Sequence, residues 1–164
     1  MKPDIWQEIK KCDELFFGGD PTQVPTTLAV HKKLKALHPK SFHYKTEKDG
    51  RLIGWSIAYP TTVQLMNRFL KGEINERQLF QLTKPGDAGA VHVLSVTVLP
   101  KCRGQGHAKA LLRETVQAVT NGRKEIPLFY WTLREKGERL AQRVAKSLGV
   151  KAYSSILQIK IESL

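Results

Sequence analysis

The segment with the clearest capacity for chemistry is Arg103-Gly104-Gln105-Gly106-His107-Ala108-Lys109. Glycines at 104 and 106 let backbone approach an anion with no Cβ in the way. The segment stands between an apolar run and an amphipathic run, so it reads as a turn that opens a helix. A helix start leaves backbone N–H groups unpaired, and its dipole favours negative charge there. Arg103 can hold a phosphate through two donors, and Lys101 and Lys109 add positive field. A pyrophosphate suits such a site. Two other glycine loops do not fit. GxxxxGK followed by Ser or Thr is absent, and GxGxxG fails because Lys109 stands where the third glycine belongs.

Other reactive side chains lie close by. His92 is the single imidazole on the run Val91–Leu99 and can exchange a proton near neutral pH. A strand histidine is more often a packed structural residue. Strand alternation puts His92 and Ser95 on opposite faces. Cys102 precedes the turn without an evident base partner and reads as a bystander thiol.

The elements that must position these residues follow from periodicity. Residues 4–17 form a helical stripe through Ile5, Ile9, Leu15 and Phe16, with Asp4 as its cap. Gly18-Gly19-Asp20-Pro21 is a loop. A second helix is predicted from about Pro25 to Leu37, ended by Pro39. Phe42–Thr46 and Leu52–Tyr59 flank Asp49-Gly50 as a hairpin, with Pro60 closing the return strand. Residues 61–83 read as two short helices broken near Gly72, an insert whose apolar side chains pack into the core. Val91–Leu99 is nearly continuous in apolar and β-branched residues, as for a strand covered on both faces. A helix with Ala108, Leu111, Leu112, Val116 and Val119 on one stripe follows and ends at Asn121-Gly122. Leu128–Leu133 is another buried strand, Glu135–Leu148 another amphipathic helix, and Ile156–Ile161 a terminal strand. The order predicts one α/β (α+β) domain over residues 1–164.

Composition narrows the partners. The chain has 164 residues and net charge +12, from 27 Lys+Arg against 15 Asp+Glu. The basic residues are spread out, with no block of like charge, which speaks against nucleic acid as the main partner. No run of about 18 apolar residues exists, so no spanning helix and no membrane partner are expected. The start of the chain has no apolar signal segment. Cys12 and Cys102 are expected as free thiols, and the location as cytoplasmic. No Cys/His spacing indicates a metal.

On Arg103, Gly106 and Ala108 the sequence resembles the GNAT superfamily of N-acetyltransferases. Its signature is Arg or Gln, two residues, Gly, one residue, then Gly or Ala. Val96-Thr97-Val98-Leu99-Pro100 resembles the family's strand ahead of that signature. Ala141 through Leu148-Gly149 resembles its second helix. The likeness is close over residues 91–150 and looser over the hairpin at 42–59. It implies a central mixed, mostly antiparallel sheet flanked by helices, with acetyl-CoA as co-substrate and an amine as acceptor. It implies that the pantetheine arm lies along the backbone of Val96, Thr97 and Val98. The pyrophosphate would rest on Arg103, Gly104, Gln105, Gly106, His107, Ala108 and Lys109.

The sequence departs from the family pattern at the place of the catalytic acid. Where many members carry a tyrosine, four residues before the helix-ending Gly149, this chain has Ala145. Where they often carry an asparagine, it has Glu138. Tyr153, Glu138 and His92 are the candidates to substitute, although Glu138 reads first as an exposed carboxylate. A non-catalytic CoA-binding or regulatory module is therefore the alternative function. The family's first strand is missing before the helices, and residues 150–164 leave room for one tail strand. Its unpaired edge offers a route to a homodimer. The insert at 61–83 should border the acceptor cleft as a lid or a wall.

Overall fold

The computed structural model describes residues 3–17, 20–131 and 135–155. The elements run α1 (Pro3–Phe17), α2 (Leu28–Leu37), β1 (Phe42–Thr46), β2 (Leu52–Thr61), α3 (Val63–Leu70), α4 (Glu76–Leu82), β3 (Ala90–Val98), α5 (His107–Thr120), β4 (Leu128–Tyr130), α6 (Glu135–Leu148) and β5 (Ala152–Ser154). The strands form one mixed sheet in the order β1-β2-β3-β4-β5. β1 and β2 pair antiparallel, as do β2 and β3, whereas β3–β4 and β4–β5 pair parallel. The expected side chains of Asp4 and Phe16, the Gly18-Gly19 pair, Thr132-Leu133 and the strand at 156–161 lie outside the described residues.

Helices cover both faces of the sheet. α5 and α6 bring Leu112, Val116, Ala141 and Val144 against Val91, Val93 and Leu128. α1, α2 and α4 bring Ile5, Trp6, Ile9, Leu34 and Phe80 against Trp55, Ile57 and Tyr59. The insert forms its own cluster of Met66, Phe69, Ile74 and Leu79 on Ala90 and Phe129. Burying these apolar faces supplies most of the drive to fold.

Boundaries differ from the periodic reading. β3 runs Ala90–Val98 rather than Val91–Leu99, β4 ends at Tyr130, short of Trp131, and the periodicity does not predict β5 at Ala152–Ser154. Two further differences have a clear local cause. α2 starts at Leu28 rather than near Pro25, because the Thr27 hydroxyl accepts from the Val30 N–H at 3.2 Å and caps it there. β2 continues through Pro60 to Thr61, pairing Pro60 with Val91. Proline is tolerated because β1 has already ended, its last pair being Phe42 with Ile57, so no neighbour awaits an N–H on that side.

The central strand is bulged. Ile57 pairs with Ser95 but Ala58 pairs with Val93, leaving Leu94 extra. Strict alternation is therefore lost, and Val96 rather than Ser95 joins Val91 and Val93 on the α5–α6 side. The expectation that His92 and Ser95 face opposite sides assumed an unbroken strand.

The insert is fastened at both ends. The Arg77 N–H and Nε donate to the carbonyls of Thr22 and Gln23, at 2.9 and 3.0 Å. At the other end Lys33 Nζ donates to the Gln81 carbonyl at 3.1 Å, and the hydroxyl of Thr83 pairs with that of Thr61 on β2 at 2.8 Å. These ties hold α4 against α2 and the loop before it.

Candidate active site

The glycine turn stands at the start of α5. Gly104 and Gly106 have φ of 78° and 79°, a region that favours glycine. Gly106 is the N-cap residue of α5, and no side chain caps this helix. Side chains of Thr27, Thr62 and Asn75 cap α2, α3 and α4. The first N–H groups of α5 are thus left for an outside acceptor. A Cβ placed on either glycine would meet nothing within 4 Å, so the turn is open to an approaching group. Arg103 Nε donates to the Val98 carbonyl at 3.0 Å, which fixes the side chain at the mouth of the turn.

A cavity of about 500 Å³ begins at Arg103 and Ala108 and runs along β3. Its floor is the stretch Val93–Val98. β4 pairs with β3 only over Val91–Val93, while β2 stays paired on the other side up to Val98. Beyond Val93 the strand therefore turns one backbone edge to the cavity, unpaired by β4. Such an edge can hydrogen-bond an extended ligand as a neighbouring strand would. Gly137, Leu140 and Ala141 of α6 form part of the wall, with Tyr130 and Trp131. The Tyr130 hydroxyl accepts from Gln142 Nε2 at 2.8 Å. Burial pushes this phenol up to about 12, the Gln142 hydrogen bond opposing and the Glu138 charge adding to it.

The far end of the cavity is acidic. Asp13 of α1 and Glu76 of α4 both line it, with Trp6 of α1 on the same wall. Thr26 donates its hydroxyl to Asp13 Oδ2. Burial raises Asp13 above the usual carboxylate range. The Thr26 hydrogen bond opposes this, and the charges of Glu14 and Glu76 reinforce it. Glu76 is 7 % exposed and accepts from His92 Nε2 at 2.9 Å.

A family model described as acetyltransferase (GNAT) family matches residues 4–150. The chain belongs to the GNAT acetyltransferase family. The solved structure of AAC(6')-Iy in complex with a bisubstrate analog, CoA-S-monomethyl-acetylneamine, has the same fold. The match has a TM-score of 0.53 and 19 % identity, over 92 % of this chain and 87 % of that one. No curated protein sequence matches the chain. Acetyl-CoA as co-substrate agrees with membership of a GNAT acetyltransferase family. No helix among the described residues is long and apolar enough to cross a membrane.

The GNAT frame shows where each expected residue stands. Val96, Thr97, Val98, Arg103 and Ala108 line the cavity. Gly104, Gln105 and Lys109 lie exposed on the turn and first helical residues, and His107 is half-buried there. The three proposed catalytic side chains are not brought together. Tyr153 is 40 % exposed on β5 and forms no part of the cavity wall. Glu138 accepts from the Ser154 hydroxyl at 3.2 Å. His92 is fully buried among the rings of Tyr59, Phe69 and Phe129, and meets the cavity only through Glu76. Ala145 is 2 % exposed inside the α5–α6 cluster. Sequence reasoning passed over Asp13, Glu76 and Trp6. Their positions on amphipathic helices look like ordinary helix chemistry. The only signal was the insert's place beside the cleft.

Proposed function

We propose that this chain is an acetyl-CoA-dependent N-acetyltransferase that acts on an amine of a small molecule or peptide by direct transfer. The observation that carries the reading is the single cavity joining the glycine turn, the open edge of β3 and two carboxylates. The donor's pyrophosphate rests on the N–H groups of residues 104–109, with Arg103 beside it. The pantetheine arm runs along Val96, Thr97 and Val98, where backbone N–H groups can also polarise the thioester carbonyl. This leaves the thioester between turn and carboxylates. There the amine nitrogen attacks the carbonyl carbon, an N–C bond forms and the C–S bond breaks. Holding both reactants in one cavity supplies much of the rate. The bisubstrate analog of the structural neighbour, which joins CoA to an acetylneamine, supports the pairing of such a donor with an amine acceptor.

Two observations favour the alternative of a non-catalytic CoA-binding module. Ala145 is packed in the core, and Tyr153 lies outside the cavity. Calorimetry with CoA and thiol release from acetyl-CoA over a panel of amines separate the two. Binding with turnover on an amine supports the enzyme. Binding without turnover on any amine supports the module. Absence of CoA binding removes both.

A further inference from the structure

The acidic end of the cavity has a construction that a structural ion pair does not need. Glu76 and Asp13 arrive from separate helices to line one cavity, and the charge of Glu76 adds to the rise of the Asp13 carboxyl. Like charges facing one low-dielectric cavity repel, so the arrangement is costly unless a cation enters. His92 Nε2 holds Glu76 Oε1 at 2.9 Å, while His92 Nδ1 is buried without a partner. The tautomer with its proton on Nε2 leaves only a lone pair unsatisfied at Nδ1, and it presents a donor to Glu76. Glu76 is thereby fixed as an acceptor carboxylate. Its other oxygen, Oε2, makes no hydrogen bond among the described residues. An independent feature lies on the same wall. Trp6 is 4 % exposed, and its indole N–H has no partner. A buried carboxylate with one oxygen left unbonded on a cavity wall marks a place where a ligand supplies the missing bond, and the unpaired indole beside it adds a second buried group without its partner.

Building on the transfer reaction above, we propose that the acceptor is a cationic amine with no carboxylate of its own. Glu76, held by His92, accepts its proton, and Asp13 adds to the field that draws it in. The ammonium gives one proton to Glu76, and the free amine attacks the thioester carbon. The sulfur leaves with the C–S electron pair and takes the second nitrogen proton. The third stays on the amide, and Glu76 returns its proton to water. His92 is a positioning residue here, since Glu76 alone faces the cavity.

Initial rates of thiol release are measured with acetyl-CoA and paired acceptors that differ only by a carboxylate. The pairs are 1,5-diaminopentane against lysine, and 2-phenylethylamine against phenylalanine. The member without the carboxylate is expected to be favoured by about tenfold or more in kcat/KM. Glu76→Gln still accepts the His92 N–H but cannot take a proton. It should lower kcat about 100-fold near neutral pH while CoA affinity is unchanged. Its rate should recover as pH approaches the amine's own pKa, where free amine needs no base. His92→Leu should lower kcat without raising the KM for acetyl-CoA, and His92→Gln, which keeps a donor, should recover part of the loss. Preference for the carboxylate-bearing member, or full kcat in Glu76→Gln, overturns this proposal and leaves the transfer reaction standing. CoA binding with no turnover of any amine overturns the transfer reaction, and this proposal with it.

Discussion

Gly54 on β2 lies so close to Thr97 on β3 that a Cβ at position 54 would stand 2.4 Å from the Thr97 carbonyl oxygen. Gly54 pairs with Val98, the last residue of β3, whose carbonyl accepts from Arg103 Nε. The close approach therefore sets the end of the strand from which the glycine turn departs. Backbone cannot move aside as a flexible side chain can. Gly54→Ala should destabilise the fold by about 3 kcal/mol, the upper part of the usual cost of overpacking. CoA affinity should fall with it, because the displaced Val98 carries the Arg103 anchor. Thermal unfolding and calorimetry check the two effects, and an unchanged melting temperature would contradict the close-packing account.

The glycine turn makes a different demand, on charge and access rather than packing. Position 106 is open, so Glu at 106 has room but brings negative charge to the place meant for a pyrophosphate. It also takes on a positive φ that costs a non-glycine residue about 1–2 kcal/mol. Gly106→Glu should keep a cooperative unfolding transition and lose CoA binding. Retained CoA affinity would remove the turn as the pyrophosphate site.

The difference between these glycines shows what the sequence made legible. The turn, its strand and its helix are contiguous, and each follows from local periodicity and from unpaired helix N–H groups. The two-helix insert was equally legible, because Val63–Leu70 and Glu76–Leu82 each carry a helical stripe. The acidic end is non-local: Asp13 and Glu76 meet only because α1 and α4 pack on one face of the sheet. The bulge at Leu94 was also hidden, since an apolar run has the same composition with or without an extra residue. The three catalytic candidates rest on a family position for Glu138, on nearness in the chain to the second helix for Tyr153, and on residue type for His92. Neither the exposure of Tyr153 nor the link from His92 to Glu76 could be read that way.

Asp13 gives a pH test with a definite sign. Its folded-state pKa is raised, so the folded protein holds this proton more tightly than the unfolded chain does. Folding then takes up protons as pH falls toward the ordinary Asp value of about 3.9. Stability from this group is greatest below that value and is lost as pH rises through the raised pKa. Asp13→Asn removes the charge and keeps an oxygen for the Thr26 hydroxyl. The variant should melt higher than the parent at pH 7, and the gap should close as pH approaches about 4. A variant that melts lower at pH 7 would mean that the Asp13 charge is satisfied by a partner, contrary to the burial and repulsion described above. Gain of stability on removing a buried charge is a common mark of a functional site.

Ala145 decides whether the missing acid could be supplied by restoring the family's residue. Its neighbours in the α5–α6 cluster include Leu112, Val116, Val119 and Val144. A tyrosine introduced there needs space for a whole ring in a packed interior, and its hydroxyl needs a partner that this apolar setting lacks. Ala145→Tyr should therefore destabilise the protein by about 1–3 kcal/mol and add nothing to kcat. The proton balance of the proposed transfer explains why no gain is expected, since the second nitrogen proton satisfies the sulfur. Melting temperature and single-turnover thiol release, measured on the same preparation, check both halves. A stable variant with raised kcat would show that the family's acid position still faces the thiol, and that the chain works at reduced rate for want of it.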